Sequence, residues 1–256
     1  MCHGPRFTIH NPLVAVHGLR FTAFMNVAII VAAGRGSRMG GGRAKQFREI
    51  SGIPIIIHTL RRFEQCATVA ESVVVLPEGE QGEFLSLAEK YGLRKRARAV
   101  AGGETRAESV WRGLRALDAD DVEIVAVHDG VRPFVTPEEI DRTVREAEQS
   151  GAAILAVPAT DTIKEAEGGR VLRTLERARL WRAQTPQCFR LELLRRAYES
   201  ALASGLDATD CSALVERLGA AVSVVEGGAH NIKVTTPQDF ALAEVIVQSS
   251  KFQVPS

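Results

Sequence analysis

Short segments that are apolar at nearly every position alternate with amphipathic segments along most of this chain. The apolar segments include residues 27–30, 72–76, 124–127 and 152–157, and helical patterns separate them. A strand without a polar face has to be covered on both sides, as happens in a parallel sheet whose connecting helices pack against both of its faces. The sequence therefore predicts an α/β fold, Rossmann-like, with a mostly parallel sheet and helices on both faces.

Composition narrows the classes of protein that such a fold could serve. The 256 residues suit one large domain, and a formal net charge of +1 argues against a general nucleic-acid surface, which needs a basic stripe. The four cysteines have neither metal-ligand spacing nor a disulfide pattern, which is typical of a reducing compartment. No apolar run approaches the length of a membrane span. We therefore expect a cytoplasmic protein that binds neither nucleic acid nor membranes.

Two segments depart from the alternating pattern. Residues 1–24 contain no acidic residue and two X-Pro pairs, so we expect a disordered extension in front of Met25. Residues 158–186 contain a Gly168-Gly169 turn and too little apolar surface for a core of their own. This predicts a protruding β-hairpin arm that packs on a second subunit. Residues 25–250 are predicted to form a single domain into which the arm is inserted.

A glycine-rich turn follows the first predicted strand. It spans residues 32–39, contains Gly34, Gly36 and Arg38, and precedes Lys45. The backbone N–H groups of such a turn can converge on one anion, and the two basic side chains add full positive charges beside it. The pattern therefore predicts a polyphosphate site, and hence a protein that handles a nucleoside triphosphate.

Two common glycine-rich loops do not fit this turn. A P-loop needs four residues between its two glycines and then Lys-Ser or Lys-Thr, whereas one residue separates Gly34 from Gly36. The dinucleotide fingerprint needs a third glycine where this chain has Met39. The remaining alternative is a flexible surface turn with solvated basic residues. The preceding strand and Lys45 favour phosphate binding over that alternative.

Further candidates follow other predicted strands. Gly102 and Gly103 come directly after the strand pattern at 97–101, and Asp129 comes just after 124–127. Open parallel sheets bind ligands at the carboxyl ends of their strands. These residues and the glycine-rich turn are therefore predicted to share one crevice, although they lie far apart in the sequence.

Each candidate also has an ordinary structural explanation. Asp129 suits a Mg²⁺ ligand beside a triphosphate, but aspartate also begins turns. Glu104 and Ser109 could contact a base or belong to an ordinary helix start, for which Thr105 is a plausible N-cap. Lys233 stands among β-branched residues, where its position slightly favours guarding an edge strand over serving a site. Arg132 suits either a substrate phosphate or a turn.

Taken in order, these segments closely resemble the 2-C-methyl-D-erythritol 4-phosphate cytidylyltransferase family. The resemblance extends over about residues 27–247. The matching segments are 32–39, 45–47, 102–109, 128–133, 161–164, 180–187, 209–210 and 231–235. The first segment alone would indicate only some nucleotidyltransferase, whereas the ordered set is specific to this family.

The resemblance implies an enzyme that joins CTP to 2-C-methyl-D-erythritol 4-phosphate, requires Mg²⁺ and releases pyrophosphate. The implied catalytic residues are Arg38, Lys45, Arg177 and Lys233. The implied CTP contacts are Ala32, Ala33, Gly34, Gly36, Arg38, Lys45, Gly103, Glu104, Ser109, Asp129 and Lys233. The implied acceptor contacts are Arg132, Thr162, Arg177, Thr185, Thr209 and Lys233, and Asp129 matches the metal ligand. The role implied for Lys233 argues against the edge-strand interpretation, and Glu104 stands where the family often has Asp.

The resemblance also gives the arm a role. It matches an arm that the family exchanges across a homodimer. Thr162 and Arg177 would then bind the acceptor in the neighbouring subunit's site, so a homodimer with arm exchange is the expected assembly.

Three alternative functions fit the sequence less well. Ribitol-5-phosphate cytidylyltransferase has a similar loop and lysine, but the 161–164 segment and the context of Trp181 favour methylerythritol phosphate as the acceptor. A non-catalytic regulator on the same fold would be expected to lack Lys45 or Asp129, and both are present. A nicotinamide oxidoreductase is disfavoured by Met39 and by the paired cations.

Overall fold

The computed structural model of the protein describes residues 25–34, 44–118, 121–205, 210–249 and 252. The predicted extension at 1–24 and the site candidates Gly36, Arg38 and Thr209 lie outside these ranges.

The described residues form eleven strands and seven helices. The strands are β1 Met25–Val31, β2 Glu49–Ile50, β3 Ile53–Pro54, β4 Val69–Leu76, β5 Arg96–Ala101, β6 Val122–Asp129, β7 Ala152–Pro158, β8 Lys164–Glu167, β9 Arg170–Thr174, β10 Trp181–Arg190 and β11 Ser223–Glu226. The helices are α1 Ile55–Gln65, α2 Gln81–Lys90, α3 Arg106–Arg115, α4 Pro137–Ser150, α5 Leu191–Ser204, α6 Cys211–Arg217 and α7 Pro237–Val247.

A seven-stranded sheet forms the centre of the fold. Its strand order is β11-β7-β10-β6-β1-β4-β5, and only the two pairings that β10 makes are antiparallel. The α/β class and the mostly parallel sheet predicted from the sequence are therefore confirmed. The carboxyl ends of β1 and β6 are in register, with Val31 opposite Asp129, which brings the Asp129 side chain to the same edge of the sheet as the glycine-rich turn.

Helices cover both faces of this sheet, as the all-apolar strands require. In β1, Ala28 and Ile30 pack on the side of α1, α2 and α4, whereas Val27 and Ile29 pack on the side of α3, α5 and α6. All four side chains are completely buried. Burial of a side chain the size of isoleucine contributes about 1.5–3 kcal/mol to stability. The chain therefore has to place helices on both sides of the sheet to cover these residues.

The position of β10 differs from the prediction. The sequence assigned residues up to 186 to the arm, whereas Trp181–Arg190 forms a strand between β6 and β7 inside the sheet. The strand was missed because Gln184, Thr185 and Gln187 interrupt its apolar character, although all three are buried. A register irregularity between Ala183 and Gln187 accommodates the proline within the strand.

The arm itself is smaller than predicted. Only β8 and β9 form the separate hairpin, and every one of their residues is exposed. At the base of the arm, Pro158 of β7 pairs with Trp181 of β10, so these predicted arm residues belong to the sheet. The hairpin does protrude, and its side chains Val171 and Leu172 remain largely in solvent.

A third apolar cluster lies beneath the loops at the carboxyl edge of the sheet. It joins α7 and the short β2–β3 hairpin to Val131, Phe134 and Val234. Ile53–Pro54 pairs with Glu49–Ile50, and α1 begins directly after this hairpin at Ile55. This cluster fixes the loops that carry Arg132 and Lys233.

Candidate active site

The carboxyl ends of β1, β5 and β6 open into one cleft with a cavity volume of about 140 Å³. Its lining residues come from all three strand ends and from two distant loops. They include Ala32, Ala33, Gly34, Lys45, Gly103, Glu104, Ser109, Asp129 and Lys233. The structure thus brings together most of the CTP contacts that the resemblance implies, within the described part of the chain.

Lys45 lies directly over the start of the glycine-rich turn. A Cβ atom built on Gly34 would lie 3.4 Å from the Lys45 Nζ atom. The lysine begins a short 3-10 helix whose other residues anchor it, because Phe47 is buried in the core and Gln46 donates to Glu80 Oε2 at 3.0 Å. The ammonium group is therefore held next to backbone that is exposed to the cleft.

Asp129 is surrounded by three cationic side chains. Its Oδ1 atom lies 3.2 Å from Arg106 Nε, and its Oδ2 atom lies 2.9 Å from Lys233 Nζ and 3.4 Å from Arg132 Nε. Burial alone would raise the pKa of the Asp129 carboxyl, but Arg106, Lys233 and Arg132 together hold this pKa far below its usual range. The group is therefore a carboxylate at any physiological pH, and three cations against one anion leave this part of the cleft positively charged.

The position of Lys233 corrects the edge-strand interpretation. Residues 231–235 form no strand, and Lys233 extends from a loop toward Asp129. Two backbone contacts hold this loop in place. Asn231 O accepts from Arg132 Nη1 at 2.9 Å, and Val234 N donates to Val131 O at 2.9 Å.

A buried histidine supports the backbone on which Asp129 stands. His128 Nε2 lies 3.1 Å from the Arg132 carbonyl oxygen, which can only accept, so this nitrogen carries the proton. His128 Nδ1 then accepts from Thr185 Oγ1 at 3.0 Å, and Thr185 Oγ1 accepts from Asp129 N at 3.1 Å. Burial lowers the pKa of His128 to about 4, so the ring is neutral near pH 7. This chain of hydrogen bonds links β6 to the polar residues of β10.

The turn between β5 and α3 is held closely against the helix. Thr105 is the N-cap of α3, as predicted, and its side chain accepts from Glu108 N. Ser109 Oγ accepts from Gly103 N at 3.1 Å and donates to Thr105 O at 2.9 Å. The predicted contact of Ser109 with a base is not tested by these bonds, which show that its hydroxyl also fixes the backbone of Gly103.

The acceptor contacts implied by the resemblance fall into two groups. Arg132, Thr185 and Lys233 line a second cleft of about 200 Å³ that shares Arg106 and Asp129 with the first. Thr162 and Arg177 are exposed and line neither cleft, and Arg177 Nη1 donates to Thr160 O at 2.9 Å. Within one chain, Thr162 and Arg177 therefore do not line the same cleft as Arg132, Thr185 and Lys233.

A divalent cation in the cleft would have few ligands from the protein itself. Among the described residues, no group of three or more His, Cys, Asp or Glu side chains could hold a metal ion. Mg²⁺ bound with a triphosphate keeps waters and phosphate oxygens, and so needs only one or two carboxylates. Asp129 lines the cleft and stays ionised, which fits such an ion rather than one bound by protein ligands alone.

Arg106 is the residue at this site to which the sequence analysis gave no role. It is the first residue of α3 and contacts both Asp129 Oδ1 and, through Nη1, Cys211 Sγ at 3.6 Å. A helix N-terminus favours acidic side chains. Arg106 is a cation at the first position of such a helix, where it is unfavourable unless an acidic group lies nearby. This position was the sequence signal for a buried acidic partner.

A mostly parallel sheet with a cationic cleft at its carboxyl edge, together with the family match that follows, places this chain in the class of α/β nucleotidyltransferases. Residues 26–249 match the model of the family described as 2-C-methyl-D-erythritol 4-phosphate cytidylyltransferase. The chain belongs to this family. No helix among the described residues is both long and apolar enough to span a bilayer.

Similar proteins agree with the family model. A 2-C-methyl-D-erythritol 4-phosphate cytidylyltransferase of Bacillus velezensis is 48% identical over 224 residues, which cover 87% of this chain and 96% of that protein. One from Pelotomaculum thermopropionicum is 46% identical over 224 residues, covering 87% and 94%. The crystal structure of 4-diphosphocytidyl-2C-methyl-D-erythritol synthase from Anaerococcus prevotii matches with a TM-score of 0.80 at 33% identity, covering 89% of this chain and 97% of that one.

Proposed function

We propose that this protein transfers the cytidylyl group of CTP to 2-C-methyl-D-erythritol 4-phosphate, giving the CDP-linked product and pyrophosphate. The observation that carries the proposal is the shared cleft, in which Gly34 and Lys45 face Asp129 and Lys233. Similarity to the family over residues 26–249 supports the same activity. The phosphate of the acceptor is already ionised, so the reaction needs no nucleophilic side chain.

The charges in the cleft suit this chemistry. When the acceptor phosphate attacks the α-phosphorus of CTP, negative charge grows on the α-phosphoryl oxygens, and cations at fixed positions stabilise it. We assign that role to Lys45 and, by resemblance, to Arg38. Lys233 and Arg132 would hold the acceptor phosphate, with Thr185 supporting the backbone beneath them. Thr209 is assigned to the acceptor by resemblance alone.

We further propose that Asp129 holds Mg²⁺ together with the triphosphate. Bound there, the ion would supply positive charge to the phosphate oxygens. The carboxylate suits this task because it is ionised and lines the cleft. The positive surroundings of Asp129 also predict that the ion binds with the nucleotide rather than before it.

The assembly we propose is a homodimer that exchanges its arms. Support comes from the arm, where Ile163, Val171 and Leu172 are exposed apolar side chains, and from Arg177, which lines neither cleft of its own chain. Exposed apolar side chains that cluster on one element are typical of an interface. The described cysteines Cys66, Cys188 and Cys211 are unpaired and buried, which agrees with a cytoplasmic location.

Release of pyrophosphate from CTP tests the proposed function. The purified protein is assayed with methylerythritol 4-phosphate, with ribitol 5-phosphate and without an acceptor, each with and without Mg²⁺. We expect Mg²⁺-dependent release with methylerythritol 4-phosphate only. Faster release with ribitol 5-phosphate would replace the acceptor in the proposal, and no acceptor-dependent release would overturn it.

A further inference from the structure

The turn formed by residues 102–104 separates the cleft of Asp129 from a neighbouring cleft. Gly103 and Glu104 line both of these clefts, while Gly102, Glu78 and Arg112 line only the neighbouring one, which differs from the cleft of Arg132 and Thr185. If the proposed function is correct, this turn lies where the base of CTP is read. Its exact position therefore matters for choosing between bases.

Arg112, in the second turn of α3, holds this turn in place. Its Nη1 atom donates to the carbonyl oxygen of Gly102 at 2.7 Å. Its Nη2 atom donates to Glu108 Oε1 at 2.5 Å, and Glu108 Oε2 in turn accepts from Glu104 N at 2.8 Å. One guanidinium thus fixes the first residue of the turn directly and the last residue through a carboxylate.

The clamp acts on a turn that has little room to move. A Cβ atom on Gly102 would overlap the Ala33 side chain, and one on Gly103 would overlap the Glu108 carboxyl group. The pKa of Glu108 is lowered by the hydrogen bond from Glu104 N and then by Arg112, so the carboxylate stays charged. The turn is therefore held between α3 and Ala33, at the start of the glycine-rich turn.

We propose that Arg112 is a positioning residue for nucleotide selection, which holds residues 102–104 in the geometry that distinguishes cytosine from other bases. This inference rests on the proposed function. A site rejects a wrong base when its hydrogen-bonding groups stand at fixed positions, because a mismatched base leaves them unpaired. A turn released from its clamp can shift its polar groups to meet either base, so selectivity falls before catalysis does.

The test compares Arg112→Ala with wild type under steady-state conditions, using CTP and UTP. We expect kcat/KM for CTP to fall roughly tenfold, mainly through KM, as for loss of one charge-assisted hydrogen bond. The ratio of kcat/KM for CTP to that for UTP should fall with it, while KM for the acceptor stays unchanged. Arg112→Lys, which keeps a cation but not the two-pronged geometry, should recover only part of the ratio.

Arg115 provides the matched control. It is an exposed arginine of the same helix and lines neither cleft, so Arg115→Ala should behave as wild type. Thermal unfolding of each variant checks that the fold is intact. If wild type discriminates between CTP and UTP and Arg112→Ala discriminates equally well, the role of Arg112 is overturned while the proposed function stands. If wild type transfers nothing from CTP, the proposed function fails first and the role of Arg112 fails with it.

Discussion

The ammonium nitrogen of Lys233 lies 2.9 Å from Oδ2 of Asp129, although the two residues stand far apart in the sequence. Their exposures differ, since 41% of the lysine side chain is accessible to solvent but only 8% of the aspartate. Lys233 therefore covers the buried carboxylate from the side of the cleft. An anion that enters the cleft meets Lys233 and can compete with Asp129 for it.

Replacing Lys233 by alanine should impair catalysis much more than stability. The side chain is half exposed, so its loss leaves the core intact, but it removes a cation that we assign to the acceptor phosphate. We expect kcat/KM for the acceptor to fall by about 10²-fold, a size typical of losing one fixed electrostatic contact. Lys90→Ala, at the exposed end of α2 and outside both clefts, is the control for loss of a lysine from the surface. Equal activity of the Lys233 variant and wild type would show that the lysine only screens Asp129.

Replacing Asp129 by asparagine should destabilise the protein. The change keeps the shape of the side chain but leaves Arg106, Arg132 and Lys233 close together without their anion. Removing one partner from a largely buried ion pair costs about 3–5 kcal/mol, and the partial exposure of Lys233 places this case near the lower end. Urea unfolding measures the loss. Because the remaining charges are positive, added pyrophosphate should restore more stability to the variant than to wild type. A denaturation midpoint equal to that of wild type would contradict this account.

The buried His128 should make the protein less stable in mild acid. Its pKa of about 4 lies below the ordinary value of 6.5, so the unfolded chain binds a proton that the folded protein does not accept. The resulting stability is complete above about pH 6.5 and is lost as the pH falls toward 4, by up to about 3 kcal/mol. His128→Gln keeps a donor for the Arg132 carbonyl but cannot titrate. Its free energy of unfolding should therefore change less than that of wild type between about pH 8 and pH 4.5. Parallel curves for the two proteins would contradict the assignment.

The sequence predicted the parallel part of the fold well because its signal is local. A strand such as β1, which is apolar at nearly every residue, and a helix such as α4, which starts with a capping box at Thr136 and a proline, can each be recognised within a short window. In β10 that local signal is absent. Its polar side chains can be buried because residues far away in the sequence satisfy their hydrogen bonds. Gln187, for example, donates to Asp210 and accepts from Cys211 N.

The same distinction applies to the candidate site. Gly34, Gly103 and Asp129 could be predicted to meet because each follows a strand of one sheet. The contact between Lys233 and Asp129 depends on how a loop without regular structure folds back, and only the resemblance to a family indicated it. The role of Arg106 likewise depends on its buried partner. Its position as the first residue of a helix after a strand indicates that such a partner exists, but not that the partner is Asp129.

Arm exchange predicts that two inactive variants restore activity to each other. Lys45→Ala should disable the cleft of its own chain, and Arg177→Ala should disable the arm. In a mixed dimer, the intact cleft of the Arg177 variant receives the intact arm of the Lys45 variant. Random pairing of equal amounts should therefore restore about a quarter of the wild-type sites. Each variant alone should lose most of its activity when the acceptor is present near its wild-type KM.

The control for arm exchange pairs Lys45→Ala with Lys233→Ala, whose lesions both lie in the cleft, so that mixed dimers gain no intact site. Co-expression with two different affinity tags isolates the mixed dimers. Activity of the Lys45–Arg177 mixed dimer no higher than that of the control pair would show that Arg177 does not serve the neighbouring subunit.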